Sequence, residues 1–203
     1  MTPLLVYIEE EYYMVILGID PSFTGMGISI IDTENKQITL AEIKGTMGRS
    51  FQETFNNSIN VVSRVIKLVS PFEVTHILSE EPFNGAMASS GLYQLDSLLF
   101  FNLITLKSFQ SIHTIHPSYL KTIHGHSKYK KSESTELAKE FLNIFLNNDY
   151  ECNKTKFSHN VSESFIYACK LYYKMSDTNE ISKELYRIKP CLKDSKEKLL
   201  YKK

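Results

Sequence analysis

Val15-Ile16-Leu17-Gly18-Ile19-Asp20-Pro21-Ser22-Phe23-Thr24-Gly25-Met26-Gly27-Ile28-Ser29-Ile30-Ile31 is the stretch on which the reading of this chain turns. An apolar run, a tight turn containing glycine and a second apolar run read as strand, turn, strand. Asp20 stands where the first strand ends. A carboxylate there adds nothing to packing. Buried without a partner it costs several kcal/mol or has to take up a proton. The position suits a group that holds a metal ion over the edge of a sheet. The alternative is that Asp20-Pro21 only starts a turn.

Working outward, Gln37 to Ile43 alternates polar and apolar and reads as a third strand after a turn at Asn35-Lys36. Phe51, Phe55, Ile59, Val62, Ile66 and Val69 recur at intervals of three and four, an amphipathic helix ended by Ser70-Pro71. That stripe is expected to cover the sheet. Val74 to Leu78 is a short strand after this helix, and strand, helix, strand implies a parallel crossover. It runs into Ser79-Glu80-Glu81-Pro82-Phe83. Ligands of such sheets bind beyond the carboxyl ends of the strands, where Glu80 projects.

Asn84 to Gly91 is rich in Gly, Ala and Ser and reads as a loop beside the site. A long helix is expected from about 92 to 109. Leu92, Leu95, Leu99, Leu103 and Leu106 form one stripe, and Leu98, Phe100 and Phe101 broaden it. A helix apolar on more than one face is buried twice: against its own sheet and against a partner subunit, or else at the centre of a monomer. Ser111 to Ile115 reads as another strand. A short helix opening at His116-Pro117-Ser118 and ending near Gly125 leads into Lys121-Thr-Ile-His-Gly-His-Ser-Lys-Tyr-Lys-Lys131. Its lysines (Lys121, Lys128, Lys130, Lys131) suit a phosphate-binding segment, the alternative being a solvated loop. His124 and His126 lack a third ligand nearby and are expected to be exposed loop residues.

Ser132 is expected to cap a helix carrying Leu137, Phe141, Ile144 and Phe145 on its inner face, and 149–158 to be a polar connection. The last helix opens at His159-Asn160-Val161-Ser162-Glu163, with Val161, Phe165, Ala168, Cys169 and Tyr172 on its buried side. Asn160 and Glu163, three apart, share a face at its N-terminal end. The chain divides into an extension (1–13), one α/β domain (14–175) and a basic C-terminal tail or short helix (176–203).

Composition fits that division. Hydrophobic residues make up 42% of the 203, enough for a core. Net charge is zero, yet the first hundred residues hold five of the 23 Lys and Arg and twelve of the 23 Asp and Glu. An acidic half beside a basic half suits carboxylates that hold metal and lysines that hold phosphate. Cys152, Cys169 and Cys191 are widely spaced, so neither a zinc site nor a disulfide framework is indicated, and reduced thiols in the cytoplasm are the simplest account. No apolar run reaches the roughly 18 residues of a membrane span.

The opening Leu17-Gly18-Ile19-Asp20-Pro21 with Thr24-Gly25-Met26-Gly27, the strand ending in Glu80-Glu81 before Phe83, and the late Asn160/Glu163 pair resemble, in order, the RuvC family of Holliday junction resolvases. The resemblance covers about residues 14 to 174. It implies an RNase H-like fold, a mixed five-stranded sheet flanked by helices, in a phage or bacterial enzyme. It further implies Asp20, Glu80, Asn160 and Glu163 as ligands of two Mg²⁺ ions, with Mn²⁺ able to substitute. Glu81 matches the family's non-catalytic neighbour, and Phe83 an aromatic set against junction bases or, alternatively, a packed ring. Lys121 and Lys131 match catalytic-site lysines, and the helix at 92–109 a homodimer interface. Glu163 is one methylene longer than the usual aspartate. Asn160 is neutral where an acid is typical, a natural or an engineered departure, so Asn160→Asp is expected to raise activity.

The activity implied is metal-dependent paired nicking of four-way and similar branched DNA in recombination and repair. Two rivals come from other classes. A DNA-structure binder without catalysis is kept open by Asn160. An actin-type kinase or ATPase fragment shares the Gly-x-Asp opening but needs a second such domain. Another RNase H-like nuclease acting on different branched DNA is a third reading.

Overall fold

The computed structural model describes residues 13–82, 89–106, 109–126, 128–154, 156–176, 179–194 and 197–202. Strands β1 (Val15–Asp20), β2 (Met26–Asp32) and β3 (Gln37–Ile43) form an antiparallel meander, as their alternation and turns predict. Helix α1 (Phe51–Val69) then crosses to β4 (His76–Glu80), parallel to β1, and α2 (Ser89–Leu106) crosses to β5 (Ser111–Ile115), parallel to β4. The short α3 (Ser118–His124), α4 (Lys131–Asn147) and α5 (His159–Met175) follow.

The sheet is mixed and flanked by helices, as expected, but it has seven strands rather than five, in the order β6-β3-β2-β1-β4-β5-β7. The two additions lie at the edges. β6 (Glu151–Cys152) runs parallel to β3, and the Asn153 amide prolongs the pairing by accepting from Leu40 N (2.8 Å) and donating to Leu40 O (3.2 Å). β7 (Glu197–Lys202) pairs antiparallel with β5. The stretch read as a basic tail or short helix does form a helix, and it joins the fold. After α6 (Glu180–Ile188) and a 3₁₀ turn at Pro190–Lys193, it buries Ile181, Leu185 and Leu192 and adds a strand.

Helices α1 and α2 cover one face of the sheet, packing on Val15, Leu17, Ile19, Ile28, Ile30, Ile77 and Ile112. The other face carries α3 to α6 over Ile16, Ile31, Leu40, Leu78 and Ile115. Alternation along each strand thus feeds two cores at once. The stripe predicted for α1 is half right. Val62 and Val69 are buried, but Phe51 is 77% exposed and Ile59 42%. The covered side is Thr54, Ser58, Val61, Val62, Val65 and Val69. Small residues are needed at its start, because α2 approaches so closely that a Cβ on Gly91 would sit 3.1 Å from Thr54 Cγ2. α2 begins three residues earlier than expected and ends before Phe109, which is buried ahead of β5. α4 begins at Lys131 rather than after Ser132, because Glu133 Oε1 reaches back to accept the Lys130 backbone N–H (3.2 Å), half of a capping box.

Candidate active site

Asp20 is the last residue of β1 and Glu80 the last of β4. The two strands are parallel, with Ile19 opposite Ser79, so both acids end on the same rim. They also share a face. Asp20 alternates with Gly18 and Ile16, and Glu80 with Leu78, on the α5 side. What brings Glu163 to them is the closeness with which α5 lies on the hairpin. A Cβ at Gly18 would stand 2.1 Å from Ser164 O, and one at Gly27 2.0 Å from Asn160 O. Only glycine fits at either place. Gly18 lies opposite Ser29 and Asp20 opposite Gly27. Ser29 Oγ meets Ser164 Oγ at 2.7 Å, pinning the same crossing. The glycines of the opening motif are therefore the bed of α5, and Glu163 in its first turns is lowered onto the rim. Asp20, Glu80 and Glu163 each offer an oxygen within 4.8 Å of the others.

Three carboxylates this close and this buried resist ionisation together. Asp20 is pushed well above the usual carboxylate range by burial and then by the charges of Glu80 and Glu163, with Lys131 opposing. Burial also raises Glu80, against a hydrogen bond from Tyr167. Glu163 is pushed up to about 7 by burial and the charge of Glu80, against hydrogen bonds and the charge of Lys131. The donor set is all oxygen, largely buried and short of positive charge, which is the chemistry hard divalent cations such as Mg²⁺ or Mn²⁺ match. These residues fit such a group.

Four side chains frame the trio. Tyr167 OH donates to Glu80 Oε2. Tyr129 OH donates to Glu163 Oε1 at 3.1 Å, and His159 Nε2 lies 3.2 Å from the same oxygen. Lys131, opening α4, acts electrostatically on Asp20, Glu163 and His159. His159 was legible in principle: it is four residues before Glu163, on one helix face. Tyr167 is four after it. No sequence signal marks Tyr129.

Asn160 shares the N-terminal end of α5, but its Nδ2 donates to the Gly25 carbonyl, which turns the side chain to the hairpin. An aspartate there would set an anion against that carbonyl. Glu81, pointing to the opposite face from Glu80, accepts from Thr114 (3.0 Å) and pairs with Lys198 (3.2 Å). Lys121, Lys128 and Lys130 are exposed and have no ion-pair partner among the described residues. His126 is exposed as expected and binds Glu133 at 2.9 Å. His124 is not: its side chain is 4% exposed, stacked on Tyr129 and bonded to Ser134 Oγ at 3.0 Å. Phe83 lies outside the described residues.

No protein-family model matches the chain. Over 78 residues it is 30% identical to crossover junction endodeoxyribonuclease RuvC of Christiangramia forsetii, a match spanning 38% of this chain and 41% of that protein. The chain thus aligns with less than half the length of this relative. Its fold is similar to Thermus thermophilus RuvC, solved alone and in complex with Holliday junction substrate. In both comparisons the TM-score is 0.54 at 15% identity over 81% of this chain, and over 98% and 97% of those chains respectively. The architecture is RNase H-like. No helix among the described residues is long and apolar enough to cross a membrane.

Proposed function

We propose that this chain is a divalent-metal-dependent endodeoxyribonuclease selective for four-way and similar branched DNA, nicking paired strands in recombination and repair in a bacterial or phage-infected cytoplasm. The observation that carries the reading is the meeting of Asp20, Glu80 and Glu163 within 4.8 Å on the rim of an RNase H-like sheet. Asp20, Glu80 and Glu163 would hold two divalent ions, which would activate a water and stabilise the leaving oxygen. Mg²⁺ is the proposed ion, with Mn²⁺ a substitute.

Asp20, Glu80 and Glu163 hold the ions, and Asn160 contributes at most its free Oδ1. Lys131, already felt by the carboxylates, is placed to stabilise charge developing on the phosphate. Lys121, Lys128 and Lys130 contact flanking phosphates, and Phe83 the junction bases. One site sees one phosphodiester, so selectivity for a junction comes from symmetry. The proposed homodimer forms through α2, which exposes Tyr93 (39%), Phe101 (67%) and Ile104 (48%) on a helix already packed on its own sheet. Two such sites stand at a fixed separation.

The test is cleavage of a labelled mobile four-way junction with Mg²⁺ and with chelator. The parent chain is expected to nick opposing strands. Asp20→Asn is expected to lose more than the roughly 10–100-fold that outer partners of a metal site cost, while still binding the junction through phosphate contacts. A folded parent that binds the junction without nicking it would establish the binder reading instead.

A further inference from the structure

The proposed mechanism makes no use of the two tyrosines that touch the trio. Tyr167 is fully buried on α5, one turn beyond Glu163, and its phenol donates to Glu80. Tyr129 stands in the lysine segment before α4 and donates to Glu163. Its ring is held by stacking on His124, centroids 4.8 Å apart and planes 19° apart, and His124 is held in turn by Ser134 Oγ. Each phenol therefore grips one carboxylate, and the two approach from different elements. Asp20 receives neither.

A phenol beside a carboxylate acts as a donor, and a donor favours the ionised, correctly rotated carboxylate over a protonated or swung-out one. Terminal carboxylate torsions are broad, so an ungripped Glu has many orientations and only some present an oxygen to a shared cation. Glu has one more torsion than Asp. The residues gripped are the two glutamates, and the aspartate, shorter and fixed at a strand end, is not. Tyr129 also sits between Lys128 and Lys130 and two residues before Lys131, so its bond to Glu163 fastens that segment to the carboxylates.

We propose that Tyr129 and Tyr167 are positioning residues of the divalent-cation site, each phenol holding one glutamate in the orientation the ion needs. The inference rests on the metal-site reading above.

The experiment is titration of the full chain with Mn²⁺ by calorimetry, and with Tb³⁺ by luminescence. The chain has no tryptophan, so emission from bound Tb³⁺ is sensitised by its tyrosines. Tyr129→Phe and Tyr167→Phe are each expected to weaken Mn²⁺ binding by about 10–100-fold and to dim Tb³⁺ emission. Tyr186→Phe, stacked on Tyr173 at 5.9 Å, is expected to change neither. Asp20→Asn separates the two levels. If Asp20→Asn binds Mn²⁺ like the parent, the metal-site reading falls. If Asp20→Asn abolishes binding but both phenylalanine variants stay within about twofold of the parent, the site stands and the positioning role is overturned. Thermal unfolding in chelator accompanies each variant. Should Tyr167→Phe fail to fold, the half-buried Tyr129 decides alone.

Discussion

Helix α5 carries buried charge at both ends, and the rest of the chain treats the two ends differently. Toward its C-terminus, Lys170 is 2% exposed and has several partners, although burial still holds its ammonium below the usual lysine range. It pairs with Glu197 at 3.3 Å, donates to Leu192 O (2.9 Å) and Asp194 O (2.5 Å), and lies 4.7 Å from the centre of the Tyr119 ring. Lys174 adds a second pair to Glu197 at 2.7 Å. Burial alone pushes Glu197 up, but Lys174 and Lys170 more than offset it, and the carboxyl ends below its ordinary value. Toward the N-terminus, Glu163 joins Asp20 and Glu80, Lys131 acts against Asp20 and Glu163, and all three acids are raised. One end closes its own charge balance. The other leaves it open, as a site does when its counter-charge arrives with a ligand.

Three experiments break or sharpen that contrast, from the largest effect to the smallest. Lys170→Ala leaves Glu197 buried beside one lysine and is expected to cost about 3–5 kcal/mol of stability, read from denaturant midpoints, with Mn²⁺ affinity unchanged. A loss below about 1 kcal/mol would mean that the C-terminal end is not a structural clasp.

The second concerns pH at the open end. Glu163 rises from 4.5 to about 7 on folding, so the folded chain binds this proton more tightly than the unfolded one. Its contribution is complete below about pH 4.5 and is lost as pH rises toward about 7. In chelator, stability is expected to fall by on the order of 3 kcal/mol across that window, at about 1.4 kcal/mol per pKa unit. Saturating Mg²⁺ or Mn²⁺ is expected to flatten the fall. Stability that climbs with pH in chelator would contradict the open charge balance.

The third is Asn160→Asp, which exchanges a donor to Gly25 O for an anion facing it. A loss of about 1–2 kcal/mol is expected, with no gain in nicking. A large gain would return Asn160 to the ligand set.

Much of this layout was legible in the chain. The β1–β2 hairpin, the crossovers and the two strand-end acids follow from alternation, helical spacing and punctuation by Gly and Pro. The misreadings have local causes. Phe51 and Ile59 keep the spacing of a covered stripe but stand exposed, because Thr54 and Ser58 take the tight side facing the sheet and α2. β6 is two residues long, below any period. β7 reads Glu-Lys-Leu-Leu-Tyr-Lys, a charged tail by composition, and its Leu199 and Leu200 are in fact exposed at 52% and 58%. It is held by pairing with β5 and by Glu197, neither of which a local window reveals.

By itself the sequence determined the order of the elements from β1 to α5 apart from β6, which residues end β1 and β4, and that acids gather in the first half and lysines in the second. Only the tertiary structure decided that Asp20, Glu80 and Glu163 converge, that His159, Tyr129 and Tyr167 frame them, and that the Asn160 amide donates to Gly25. The reason is that orientation at the rim depends on how closely α5 beds on Gly18 and Gly27. That is a contact between segments more than a hundred residues apart, and no periodicity within either segment encodes it.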